Sequence, residues 1–100
     1  SLAIARAMTG DLAGAEPVFA RTLAIYTERL GPGHPETLET MSNLAYLCAL
    51  DGRRDEALAW LERAVDAGWR QPDVLRNPPY DAWAGEPRYE ALVARLADHP

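Results

Sequence analysis

The chain matches itself when slid by 42 residues. Leu2-Ala3 returns as Leu44-Ala45, Gly10 as Gly52, Ala15 as Ala57 and Arg21 as Arg63. Phe19 is answered by Leu61, Leu23 by Val65 and Asp11 by Arg53. The shared positions are small or apolar, and the polar ones differ freely. A helix hairpin written twice, with its interhelix contacts kept, produces this pattern. A fixed period of this length marks stacked repeats, in which each unit buries its apolar face only against a neighbour. The fold class is therefore expected to be all-α, with antiparallel hairpins stacked as an α-α superhelix. Composition agrees. Ala, Leu and Arg, all strong helix formers, fill 41 of the 100 positions, and β-branched residues are few. A chain of 100 residues is one domain with a modest core.

Residues 1–9 read as the end of a helix closed by Gly10, with Asp11 as N-cap of the next. That next helix carries Leu12, Ala15, Phe19, Leu23, Tyr26 and Leu30 at helical spacing and stops at Gly31. Pro17 falls inside it and is expected to bend it or delay its start. Gly31-Pro32-Gly33-His34-Pro35 is a turn by composition. Pro35 and Glu36 suit the first turn of a helix running to Leu50, and His34 is placed to help cap it. Its expected inner stripe is Leu38, Met41, Leu44, Ala45 and Cys48. Asp51-Gly52 turns the chain into a helix over 53–67, with Ala57, Leu58, Leu61, Ala64 and Val65 inward and Gly68 as its stop. Two helices joined by a short turn approach closely only where facing residues are small, and Ala45 opposite Ala57 is the expected seam.

Residues 69–100 do not repeat. They hold Trp69, Tyr80, Trp83 and Tyr89. Short helical turns are expected near 72–76 and 80–84. A final helix over 87–97 carries Tyr89, Leu92, Val93 and Leu96 on one face. Such a segment suits the open hydrophobic end of a stack. The single domain thus divides into a partial first repeat (1–31), a second repeat (35–68), and an irregular aromatic segment with a capping helix (69–100).

Ten basic against fifteen acidic residues, net charge -5, argue against nucleic acid or anionic lipid as partner. No apolar run approaches the roughly 20 residues that cross a bilayer, and the opening residues 1–7 do not read as a signal peptide. Every basic residue is Arg. Without Lys there is no Schiff base, no Lys general base and no P-loop Lys. Cys48 is single, so neither an intrachain disulfide nor a Cys-rich zinc site is possible. It reads as a small buried hydrophobe. The alternative is a reactive thiol with Arg6 or Arg53 as cationic partner. His34 and His99 form no metal pattern, and Asp11, Glu16, Asp55 and Glu56 suit helix N-termini. The expectation is no enzyme activity, no cofactor and no metal. One unpaired Cys without a leader fits a reducing, cytoplasmic setting.

The run Asn43-Leu44-Ala45, followed by Gly52, Ala57, Leu61 and Ala64, resembles a tetratricopeptide repeat. The period and the linker Leu30-Gly31-Pro32-Gly33-His34-Pro35-Glu36-Thr37-Leu38 resemble more narrowly the kinesin-light-chain type, common in large bacterial signalling proteins. The tail, with Gly68, Leu75-Arg76, Glu86-Pro87-Arg88-Tyr89 and Leu92, is similar to the closing segment of many bacterial repeat arrays. Thr22 departs from the family's usual Ala, and Arg6 and Cys48 from its common aromatics. The first repeat lacks most of its opening helix. Such architectures normally need about three repeats. The chain is therefore expected either to be the C-terminal piece of a longer array or to dimerise through its open N-terminal end.

The resemblance implies a non-catalytic module that binds a peptide or partner protein in a concave groove lined by the first helix of each hairpin. In this chain the outward side of 35–50 offers Glu39, Ser42, Asn43, Tyr46 and Leu50. Ile4, Ala7 and Met8 are the equivalents in the first repeat. Asn43 matches a position where the family often holds Asn against the backbone of an extended peptide, and an amide both donates and accepts. Tyr46 adds apolar area with a polar tip. Two alternatives stay open. Asn43 bonds a neighbouring helix while Tyr46 packs locally; or the chain is a structural cap that positions a neighbouring signalling or catalytic domain. A groove filled by the tail, by Trp83 for example, favours the cap. The carboxylate clamp that holds chaperone C-termini needs Lys and Asn. Ser42 and Tyr46 stand at those places, so such acidic tails are not expected to bind.

Overall fold

The structure, a computed structural model, describes residues 12–97. The expected opening helix, with Ile4, Ala7 and Met8, lies outside the described residues, as do Arg6, Asp11 and His99. Helices α1 (Leu12–Leu30), α2 (Pro35–Leu50) and α3 (Arg54–Ala67) follow one another. A short helix α4 (Pro72–Leu75), a 3-10 turn (Tyr80–Trp83) and helix α5 (Pro87–Ala97) complete the chain. No strand occurs among the described residues.

Helix α2 packs against both α1 and α3, so it has two inner sides rather than the one stripe that spacing suggested. Met41, Leu44, Ala45 and Cys48 are buried as expected, and Thr37, Thr40, Leu47 and Ala49 join them. Leu38 is only half-buried. The two buried hydroxyls are satisfied locally, which removes the cost of stranding a donor. Thr37 Oγ1 donates to the Gly31 carbonyl at 2.8 Å, and Thr40 Oγ1 to the Glu36 carbonyl at 2.9 Å. His34 caps α2: its Nδ1 accepts the Glu36 N–H at 3.2 Å.

Ala15, Phe19 and Leu23 of α1 enter the core. Tyr26 is half-buried and Leu30 is exposed, contrary to the expected stripe, because the last turn of α1 has no described element over it. Helix α1 is continuous through Pro17 and begins at Leu12, so the proline does not delay its start. Pro17 lies on the exposed side.

Helices α2 and α3 end alike. Gly52 takes φ 76° and Gly68 φ 123°, the left-handed region that glycine enters without a steric penalty. In each case the glycine N–H and the next N–H return to carbonyls of the last turn: Gly52 to Ala49 and Arg53 to Cys48, then Gly68 to Val65 and Trp69 to Ala64. These paired bonds satisfy otherwise orphaned carbonyls. The repeat seen in the sequence is thus also a repeat of helix-stop geometry.

The tail folds back over α3, and Trp69, Leu75, Tyr80, Tyr89, Leu92 and Leu96 are buried. The Tyr89 hydroxyl donates to the Leu75 carbonyl at 2.6 Å. Ion pairs tie α5 to α3: Arg88 meets both carboxylate oxygens of Glu62, at 2.8 and 2.7 Å, and Arg95 meets Asp66. Arg88 holds the Glu62 carboxyl below its ordinary 4.5. Glu62→Gln is expected to cost about 1 kcal/mol at pH 7, since the pair is bidentate but screened by its partial exposure. The lowered folded value fixes the sign. The contribution is present above about pH 4.5 and fades as pH falls through the folded value. Urea unfolding of both proteins at pH 7 and pH 3 checks this, the difference between them shrinking at pH 3.

Tyr80 packs edge-on to Trp83, with ring centroids 5.4 Å apart at 68°. Its buried hydroxyl has no hydrogen-bond partner among the described residues, and burial pushes its pKa up. A stranded polar group costs free energy that an apolar isostere does not. Tyr80→Phe is therefore expected to be neutral or stabilising by up to about 1 kcal/mol. A urea midpoint that falls would show that the hydroxyl is satisfied in solution.

Candidate functional site

With α1 on one side of α2 and α3 on another, one stripe of α2 stays open among the described residues. Glu39, Asn43, Tyr46 and Leu50 recur at spacings of four, three and four, which aligns them along one helix face. Ser42 lies beside them. Tyr46 is 44% exposed and Leu50 43%.

A trough of about 500 Å³ runs beside the N-terminal half of this stripe. Pro35, Leu38, Glu39, Ser42 and Asn43 form one wall, and residues 68–71 form the other. The second wall is fixed by its own chemistry. Gly68 ends α3, and Trp69 turns its indole into the core, 3% exposed. Arg70 Nη1 donates to the Val65 and Trp69 carbonyls at 2.9 and 2.7 Å. That spends one edge of its guanidinium on the C-terminal end of α3, where a cation is favourable. Gln71 then leads into α4. On the far side, the preceding linker lies close to α3: a Cβ on Gly33 would come within 3.2 Å of the Ala67 carbonyl.

Among the described residues, the side chains of Glu39, Ser42, Asn43, Tyr46 and Gln71 make no hydrogen bond or ion pair to the protein. Among the described residues Asn43 thus bonds no neighbouring helix, while Tyr46 is 44% exposed and lies near Tyr80. Trp83 packs against the core and does not enter the trough. The tail supplies a wall through residues 68–71 rather than a plug. Tyr46 and Leu50 continue the stripe beyond the trough instead of lining it, and Met8 lies outside the described residues. Arg70, Gln71 and Pro35 were missed by spacing arguments. Arg70 and Gln71 reach the trough through chain reversal at Gly68, and Pro35 sits at the start of α2, one turn before Glu39. Leu38, expected inside, packs against the core with one side and lines the trough with the other.

A second cluster joins Glu16, Cys48 and Glu56, whose potential ligand atoms lie within 4.8 Å of one another. Arg53 already occupies it. Its guanidinium bonds both oxygens of Glu16, Glu56 at 2.7 Å and Asp51 at 3.0 Å. A cation would have to displace this guanidinium. Burial pushes the Cys48 thiol up and outweighs the opposing pull of Arg53, so the thiolate that a metal or a nucleophile needs is disfavoured. Burial thus works against the reactive-thiol alternative with Arg53 as partner. The cluster is an ion-pair hub fastening α1 to the turn between α2 and α3. No described helix is long and apolar enough to cross a membrane.

Residues 1–67 match the family model described as tetratricopeptide repeat. Over 50 residues, half of this chain, it is 42% identical to tetratricopeptide repeat protein 19, mitochondrial, of Danio rerio. The matched stretch spans 12% of that relative, so the likeness covers a small part of a longer protein. No solved structure matches the chain significantly.

Proposed function

The chain belongs to the tetratricopeptide repeat family, whose repeats generally mediate protein–protein interaction, and from that premise we propose that it is a non-catalytic module that binds an extended peptide segment along the open face of α2. The observation that carries this reading is the set of unpartnered side chains there. Glu39, Ser42, Asn43 and Gln71 offer donors and acceptors that the described residues do not use. Unmade polar capacity in a concave site is available to a ligand at no cost to the fold. Asn43 is the central member, since its amide meets a peptide group of either polarity. Tyr46 and Leu50 add apolar area beside it.

The test is selection of a random peptide library against the chain and against Asn43→Ala. The expected result is a motif enriched on the first and lost on the second, with both proteins equally helical. Enrichment that survives Asn43→Ala would move the site elsewhere.

A second reading is supported by the ion pairs that hold α5 on α3 and by the buried aromatic tail. In that reading the same chain closes the C-terminal end of a repeat array. The two roles use different surfaces and are compatible. The kinesin-light-chain type, a bacterial array, a cytoplasmic setting and pairing or continuation at the N-terminal end are parts of the same proposal, and they rest on sequence pattern alone.

A further inference from the structure

The trough carries one formal charge of each sign, on opposite walls: Glu39 on α2 and Arg70 in the segment after α3. Both are exposed, and every other residue of the lining is uncharged. Arg70 donates from Nη1 to the Val65 and Trp69 carbonyls at 2.9 and 2.7 Å. Those acceptors are neutral. They hold the guanidinium against the end of α3 without cancelling its charge. Its Nε and Nη2 edge has no acceptor among the described residues. Glu39 has no ion partner among them either, Arg70 included. Two uncompensated charges of opposite sign thus share one concavity of about 500 Å³.

The lining is neutral in sum and polarised from wall to wall. A uniformly acidic segment would satisfy Arg70 but bring like charge to Glu39, and a uniformly basic one would do the reverse. An uncharged segment would shield both groups from water and return no counter-charge. The charge pattern that suits both walls is an anion and a cation on the same ligand. We propose that the trough selects a short peptide segment carrying one acidic and one basic side chain, the carboxylate on the free edge of Arg70 and the cation on Glu39. Nε and Nη2 form a planar fork that matches a carboxylate through two parallel hydrogen bonds. The Asn43 and Gln71 amides, one on each wall, meet the peptide groups between the two charges. This deepens the peptide-binding reading and rests on it. The charges contribute discrimination among segments more than raw affinity.

The experiment uses the whole chain, its Glu39→Gln, Glu39→Arg, Arg70→Gln and Asn43→Ala variants, and peptides selected from a random library. Glu39 is exposed and bonds nothing in the fold, so its variants are expected to keep full helicity, which circular dichroism verifies. The expected result is that Asn43-dependent peptides on the unaltered chain carry both an acidic and a basic residue. Selection on Glu39→Gln keeps the acidic residue and releases the basic one. Selection on Arg70→Gln does the opposite, and selection on Glu39→Arg gives acidic peptides without the basic residue. By fluorescence anisotropy, each Gln variant binds the original peptide about tenfold more weakly, as the loss of one charge-assisted hydrogen bond implies. If Arg70→Gln loosens the wall it belongs to, the two Glu39 variants decide the question alone. Asn43-dependent peptides that are uncharged, that carry charge of one sign only, or that keep the same composition on Glu39→Gln overturn this inference while leaving the peptide groove standing. A library without any Asn43-dependent enrichment overturns both.

Discussion

Trp69→Ala is expected to destabilise the chain by about 3–5 kcal/mol, the usual range for deleting a buried indole. Trp69 is 3% exposed and is the first residue after the Gly68 stop. Its backbone N–H closes the end of α3 on Ala64, and its ring is the point at which the tail is anchored to the core. Small domains are stable by only about 5–15 kcal/mol in total. Each kcal/mol shifts Tm by roughly 4–8 °C at this size. A melt followed by circular dichroism should therefore move down by tens of degrees or lose its transition. The variant should also lose peptide binding, because Arg70 and Gln71 hang on that anchor and form a wall of the trough. Trp69→Phe should retain most of both. A Tm within a few degrees of the unaltered chain would mean that the tail is not anchored there.

Ala57→Leu is expected to cost on the order of 1–3 kcal/mol through overpacking. Ala57 is fully buried at 0% exposure in α3, which packs against α2. Its counterpart one repeat earlier, Ala15, is also at 0%. The small side chain is what lets the two helices approach. The control is Ala20→Leu on the exposed side of α1, expected to stay within about 0.5 kcal/mol. Equal urea midpoints for the two variants would contradict the close α2–α3 seam.

The hairpins were legible because their apolar positions recur with both the helical and the 42-residue periods. Ala15, Phe19 and Leu23 echo Ala57, Leu61 and Val65, and all six are buried. The helix stops were legible too, since Gly52 and Gly68 take the left-handed conformation that glycine allows. What spacing did not reveal depends on tertiary neighbours. Thr37 and Thr40 look like surface residues until α2 is seen to be covered on two sides, their hydroxyls turned back onto the backbone. Leu30 fits the α1 stripe by spacing yet stays 43% exposed, because burial needs a partner as well as a period. At the site, the α2 face was readable from helical spacing. The opposing wall was not, because Arg70 and Gln71 arrive by reversal at Gly68 and no periodicity encodes that.

The most direct measurement is a two-dimensional amide NMR titration of the isotopically labelled chain with a peptide from the library. The account predicts shift changes concentrated at Glu39, Ser42, Asn43 and Tyr46 and at residues 68–71, with the exposed face of α1 and the outer face of α5 unchanged. Changes centred on α5, or on Pro17, Thr22 and Ile25 of α1, would contradict a binding face on α2.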